Sequence, residues 1–275
     1  MGRLYVVATP IGNLEDITLR ALRLLQEVRL IAAEDTRHTR TLLDRYGIET
    51  PVVRYDEHSH ARQLPVILRA LEQGEVALVS DAGTPGISDP GAELVRAAVR
   101  AGHTVSPVPG PSAVVAAIAA AGMPAETFLF LGYLPRRASD RVKLLAKVAD
   151  ETRTMVAFEV PHRLRASLSD LEEALGAERV VALAREVSKV HEEFIHGTLG
   201  EVGVASRKRH REASSLWSSP ANGQVPGRRT RSAQRWPVGC GSARRRPKPP
   251  ARWPGPLAGP ARRSTAWRWR VHEPR

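Results

Sequence analysis

A single cysteine, Cys240, stands in 275 residues, so the chain can form neither an intrachain disulfide nor a cysteine-based metal site. No apolar run approaches the roughly 20 residues needed to span a bilayer. The N-terminus has no charged-then-apolar export pattern. These absences point to a soluble cytoplasmic protein. The chain also lacks the G-x-G-x-x-G dinucleotide fingerprint and the P-loop, so nothing in it supports a nicotinamide cofactor or ATP hydrolysis. Glu57-His58-Ser59-His60 offers two histidines without a third ligand nearby, which reads as surface loop rather than metal site. No metal is expected, and no solenoid repeat is present.

Charge divides the chain in two. The formal net charge is +12, yet residues 203–275 hold 18 Lys and Arg against two acids, Glu212 and Glu273. Of the 41 basic and 29 acidic residues, 23 and 27 remain in residues 1–202, a net of −4. The tail contains all five tryptophans and ten of the 21 prolines, and no Ile, Phe, Tyr, Met or Asp. Only the first part has the composition of a folded protein.

That part alternates strand and helix. Strands are predicted at 3–8, 30–33, 76–79 and 104–108. Helical spacing of Leu19, Leu22, Leu25 and Val28, and of Leu64, Ile67, Leu68 and Leu71, separates them. An alanine-rich buried helix follows from Ala113 to Ala121. Gly122-Met123-Pro124 reads as a hinge. A second α/β unit then runs through 128–133, a basic helix from about Asp140, 154–158, a helix with Leu164, Leu168, Leu171 and Leu175, and 180–183. The expectation is a mostly parallel sheet covered on both faces, then a second unit of about four strands that stops near Gly197-Thr198-Leu199. The domain boundaries are 1–122, 123–202 and 203–275.

Ser80 to Gly91 is the most informative segment. A buried strand breaks into a loop with three glycines and two prolines before a helix, where open α/β folds hold ligands. Asp89 suits the N-cap of that helix and Pro90 its first position. Thr9-Pro10-Ile11-Gly12-Asn13 follows the first strand, with Gly12 allowing close backbone approach. Glu34-Asp35-Thr36-Arg37 and Glu159-Val160-Pro161-His162-Arg163 mix acids and bases at strand ends. Arg185-Glu186-Val187-Ser188-Lys189 does the same.

Taken in order with Pro109-Gly110-Pro111-Ser112, these motifs resemble the ribosomal RNA small subunit methyltransferase I family of the tetrapyrrole methylase superfamily, over about residues 3 to 199. The resemblance implies a two-domain α/β fold, usually dimeric, with S-adenosylmethionine held between the domains. It further implies methylation of the 2′-hydroxyl of a decoding-region cytidine in 16S rRNA. On that footing Pro10, Gly12, Asp81, Ala82, Gly83, Thr84, Pro85 and Ser112 are the candidate cofactor residues. A ribose hydroxyl is a weak acid and needs a proton acceptor; Glu34, Asp35, Glu159 and His162 are the candidates, with no choice among them. Arg37, Arg163, Arg185 and Lys189 could hold RNA phosphates. Two other readings stand beside this one: a methyltransferase acting on a tetrapyrrole, and a non-catalytic RNA-binding protein using the basic tail.

The resemblance stops after Leu199, where the family continues with a helix and a strand that completes the second sheet. Residues from Ser206 read instead as a basic arm able to stack tryptophans on bases, as a low-complexity tail, or as translation in the wrong frame of GC-rich DNA. The abruptness of the change favours the last. An incomplete second domain, with an exposed sheet edge, is the expected consequence.

Overall fold

In the computed structural model of the chain, residues 2–208 and 215–219 are described. Five short apolar runs form a first sheet: β1 (Arg3–Val7), β2 (Leu30–Ala33), β3 (Val52–Arg54), β4 (Val76–Val79) and β5 (Thr104–Val108). Their order is β3-β2-β4-β1-β5, and every pairing is parallel. Between them run α1 (Leu19–Glu27), α2 (Thr36–Arg45), α3 (His60–Gln73) and α4 (Ala92–Arg100).

Side-chain alternation along the strands sorts the helices onto two faces. Tyr5, Val7, Ile31, Ala33, Ala77 and Val79 point to one side, against Leu24 and Leu25 of α1 and Leu42 and Leu43 of α2. Leu4, Ala32, Val76 and Leu78 point to the other, against Ile67 and Leu71 of α3 and Leu94 of α4. Adjacent strands β1 and β4 therefore send their chains to opposite faces. Such a switch point is where open α/β sheets bind ligands, beyond the carboxyl ends of the strands.

The next helix, α5 (Ala113–Ala120), is apolar all round, and it buries one side while Val115 stays exposed. Val114, Ala117 and Ile118 pack on Val156, Ala184, Phe130, Phe158 and Phe194 of the second sheet. That sheet is built from β6 (Phe128–Tyr133), β7 (Thr154–Glu159), β8 (Val180–Arg185), β9 (Glu193–Thr198) and β10 (Ser215–Ser219). Its other face is covered by α6 (Ala138–Lys147), α7 (Pro161–Leu175) and α8 (Leu199–Lys208), through Leu145, Leu168, Leu171, Leu199 and Val202. The order is β6-β7-β10-β8-β9. Only β6 and β7 pair in parallel; β10 runs antiparallel to both neighbours, and β8 pairs antiparallel with β9.

One expectation is corrected here. The second sheet has five strands rather than about four, and unlike the first it is mixed. The fifth strand comes from Ser215–Ser219, inside the stretch read as an irregular tail. The reason is backbone satisfaction: β7 and β8 would each face an unpaired neighbour, and an extended five-residue segment between them fills both rows of hydrogen bonds. The open edge expected at that point is thereby closed. The remainder of the tail, with Trp236, Trp253, Trp267 and Trp269, lies outside the described residues. No helix among the described residues is long and apolar enough to cross a membrane.

Candidate functional site

The loops leaving β1 and β4 are tied together before they reach any ligand. Thr9 N–H donates to the Gly83 carbonyl at 2.8 Å, and Gly83 N–H returns a bond to the Thr9 carbonyl at 3.0 Å. The Thr9 hydroxyl also donates to the Ser80 carbonyl at 3.0 Å. Gly83 adopts φ +79°, a conformation open to glycine at no steric expense. Next to this pair, Ser112 caps α5 by accepting from Val115 N–H at 3.5 Å.

Carboxylates from the segments that follow two strands, β2 and β4, meet beside these loops. Asp81 N–H donates to Glu34 Oε2 at 3.3 Å, and Asp35 N–H donates to Asp81 Oδ1 at 3.0 Å. The ends of β2 and β4 are thus bracketed by reciprocal bonds. Burial pushes the Glu34 carboxyl up, a bond from Asp81 N–H opposes this, and repulsion from Asp81 adds to the rise. Asp89 is pushed up to about 6, first by burial and then by Glu34, against a stabilising bond from the Ser80 hydroxyl. Among the described residues, Glu34, Asp81 and Asp89 have no cationic partner within ion-pair distance.

The second sheet supplies the opposite wall. Tyr133 ends β6, Phe158 and Glu159 end β7, Ala184 lies on β8, and Val187 and Lys189 follow it. Tyr133 tilts over Phe158 at 5.2 Å between ring centroids. Burial and the facing Asp89 and Glu34 raise its hydroxyl pKa. The loop after β8 holds Glu186 and Ser188 at φ +52° and +66°, an uncommon conformation for side chains other than glycine. It reaches across to the first unit, where the Ser188 hydroxyl bonds Asp16. Gly12 meets it so closely that a Cβ there would stand 2.5 Å from the Lys189 side chain.

Between these walls lies a cleft of about 380 Å³, within the usual range for small-molecule sites. Ile11, Glu34, Asp81, Gly83, Asp89, Ser112, Tyr133, Phe158 and Val187 are among its lining residues. Exposed backbone, an apolar wall and three carboxylates outside any ion pair of the described residues suit an extended ligand that is partly apolar and carries positive charge.

The sequence-predicted residues fare differently. Glu34, Asp81, Ala82, Gly83, Thr84, Ser112, Glu159 and Lys189 line the cleft. Pro10, Gly12 and Pro85 support the same loops without lining it. Asp35 instead caps α2, accepting from Arg37 N–H at 2.8 Å; hydrogen bonds from Arg37 hold its carboxyl well below the usual range. His162 is exposed on the first turn of α7, away from the lining. Glu159 is buried and accepts from Val160 N–H, the Ser167 hydroxyl and Arg163. Arg163 is committed to Glu159 and to the Leu134 carbonyl, and Arg185 lies 3.1 Å from Glu193. Arg37, with Asp35, and Lys189, with Glu186, remain at the surface.

Asp89 corrects one reading. It is not the N-cap of α4: that helix starts at Ala92, and Gly91 at φ +136° precedes it without a side-chain cap. A Cβ on Gly91 would lie 2.8 Å from Leu78, so the turn packs tightly and leaves Asp89 in the cleft. Tyr133 was overlooked because nothing local distinguishes it from any aromatic at the end of a strand.

A family model described as Tetrapyrrole (Corrin/Porphyrin) Methylases matches residues 3–203. A protein from Pseudomonas aeruginosa named Ribosomal RNA small subunit methyltransferase I is 52% identical over 192 residues, 70% of this chain and 68% of its own. Its namesake from Synechocystis sp. is 50% identical over 200 residues, 72% of each chain. Among solved structures, uroporphyrin-III C-methyl transferase from Thermus thermophilus, complexed with S-adenyl homocysteine, superposes with a TM-score of 0.56 at 24% identity, covering 80% of this chain and 97% of that one. That likeness speaks for the fold.

Proposed function

The chain belongs to the tetrapyrrole (corrin/porphyrin) methylases, and from that premise we propose that it is an S-adenosylmethionine-dependent methyltransferase acting on ribosomal RNA. The finer reading is methylation of the ribose 2′-hydroxyl of a decoding-region cytidine in 16S rRNA. The relatives' printed names support the RNA acceptor. The meeting of loops from both sheets at one acidic cleft carries the cofactor assignment.

The residues present fit that cofactor. Its sulfonium and ammonium are cationic, and Glu34, Asp81 and Asp89 offer negative charge without a cationic partner. The backbone of Ala82 to Thr84 and the capped start of α5 at Ser112 offer polar groups to its carboxylate and ribose. Ile11, Val114, Phe158 and Val187 give an apolar wall for its base. When bound, the cofactor supplies an electrophilic methyl group whose bonding electron pair stays with sulfur.

The protein's own part is then positioning and proton handling. The Thr9–Gly83 pairing fixes the cradle. Ser188 and Gly12 hold the second unit's loop against the first. The acidic interior disfavours phosphate, so an RNA strand passes outside the cleft and presents one nucleotide to it. Arg37 and Lys189, whose ion-pair partners lie at the surface, stand where phosphates would run. Arg163 and Arg185 serve the fold in this reading.

The experiment is methylation mapping by mass spectrometry of 16S rRNA from cells with and without the gene. Loss of one 2′-O-methyl group at a decoding-region cytidine is expected, with its return on complementation. An unchanged methylation map would overturn the RNA assignment. A homodimeric state and a cytoplasmic location belong to the same reading, and analytical ultracentrifugation reads the first directly.

A further inference from the structure

Of the four proton-acceptor candidates legible in the sequence, three are engaged by other groups or lie off the cleft lining. Asp35 is occupied as a helix cap and paired with Arg37. Glu159 is enclosed by donors, and His162 is exposed on the first turn of α7 and is not among the cleft-lining residues. Glu34 remains, and beside it stands a carboxylate that the sequence had placed on a helix cap. We propose that Asp89 is the group that takes the proton from the acceptor hydroxyl, with the Glu34 carboxylate as its charged neighbour in the cleft.

The geometry carries this. Asp89 lines the cleft wall opposite Tyr133. The tight Gly91 turn withholds it from α4, so its carboxylate has no capping duty. One hydroxyl, that of Ser80, reaches it, and Ser80 is itself anchored in the Thr9–Gly83 junction. A carboxylate with a single hydroxyl partner keeps lone pairs for an incoming proton.

Charge explains the timing. The groups facing Asp89 are Glu34 at the end of β2, Asp81 at the end of β4 and Tyr133 at the end of β6. Glu159 with Arg163, and Lys189 with Glu186, complete the cleft's ionisable lining. Burial and the neighbouring acids hold Asp89 half protonated near pH 6 in the free protein. A cationic ligand beside the pair favours the ionised form and expels that proton. Asp89 thereby becomes a base once the methyl donor is in place. In the reaction, the acceptor's O–H bond breaks, its proton goes to an Asp89 oxygen, and the electron pair left on the acceptor oxygen forms the new bond to the methyl carbon.

This rests on the cofactor assignment above, and one titration separates the two. S-adenosylmethionine is titrated calorimetrically into the full chain at pH 6, in two buffers of different ionisation enthalpy. We expect binding with release of about half a proton. No binding at all would defeat the cofactor assignment; binding without proton release would defeat the role of Asp89 alone. Asp89→Asn should bind the cofactor, release no proton, and methylate at least ~100-fold more slowly, the usual scale of general-base catalysis. An Asp89→Asn protein that releases the same proton, or methylates at the parent rate, overturns the proposal. Should that variant not fold, Glu34→Gln gives a second reading. Loss of the neighbouring charge should move the pH midpoint of proton release downward, and an unmoved midpoint contradicts the influence of that charge.

Discussion

The two α/β units reach the same cleft by different routes. The first sheet is wholly parallel, its central strands β2 and β4 are buried, and the turns leaving β1 and β4 are joined by the Thr9–Gly83 backbone pair. The second is mixed, and it closes only when β10, after α8 in the chain, inserts between β7 and β8. Its contribution to the cleft hangs on side chains: Glu159 clamped by Arg163 and Ser167, and Lys189 laid on Gly12. A ligand site shared by such units joins a rigid cradle to a wall that depends on distant chain. Stability and function should therefore respond unequally to damage in the two.

Ending the chain after Lys208 should have the largest effect. It strips β10 from the middle of the second sheet and leaves β7 and β8 without their shared neighbour. Limited proteolysis should then remove the second unit while a fragment near residues 1–122 survives; equal digestion of both would erase the contrast. Next comes Arg141→Ala. Arg141 is buried, donates to Asp170 at 2.6 Å and to the Pro135 carbonyl at 3.1 Å, and joins α6 to α7. Leaving these acceptors unpaired should lower stability by about 3–5 kcal/mol, read as a shift in the urea midpoint.

Asp89→Asn should act in the opposite direction on the first unit. A carboxyl held near 6 when folded and at 3.8 otherwise binds more protons in the folded state. Stability is therefore lost as pH rises from about 4 through about 6. Removing the charge should raise stability at pH 7 by ~1–2 kcal/mol, allowing for solvent screening, and change nothing at pH 4. Thermal unfolding at the two pH values checks this. Gly12→Ala should be the mildest: about 0.5 kcal/mol or less in stability, typical of exposed sites. Its added Cβ presses on Lys189 and the Val187 carbonyl, so cofactor affinity should fall several-fold by titration.

The same contrast governs what could be read from the chain. β2 and β4 are continuous apolar runs, almost wholly buried, and β1 is nearly so, and their composition announces them. The glycine- and proline-rich breaks after β4 and β5 carry Asp81, Gly83, Thr84 and Ser112, which line one hollow. Helix α2 was hidden because Thr39, Leu42 and Leu43 are its only buried residues among charges. β3 is three residues long. β9, Glu-Phe-Ile-His-Gly-Thr, has no apolar run of strand length. β10 lies in a stretch whose composition argues against order, and its pairing depends on strands 30 or more residues back. The pairing of Arg163 with Glu159 and of Arg185 with Glu193 was hidden for a related reason: the contacts are made in the folded chain, and residue type alone does not announce them.

Hydrogen–deuterium exchange with and without S-adenosylmethionine tests the shared cleft most directly. Slower exchange is predicted together in residues 9–13, 80–91 and 109–115 of the first unit and in 158–160 and 184–189 of the second. Protection confined to one unit, or found at surfaces away from these loops, would contradict a single site built by both sheets.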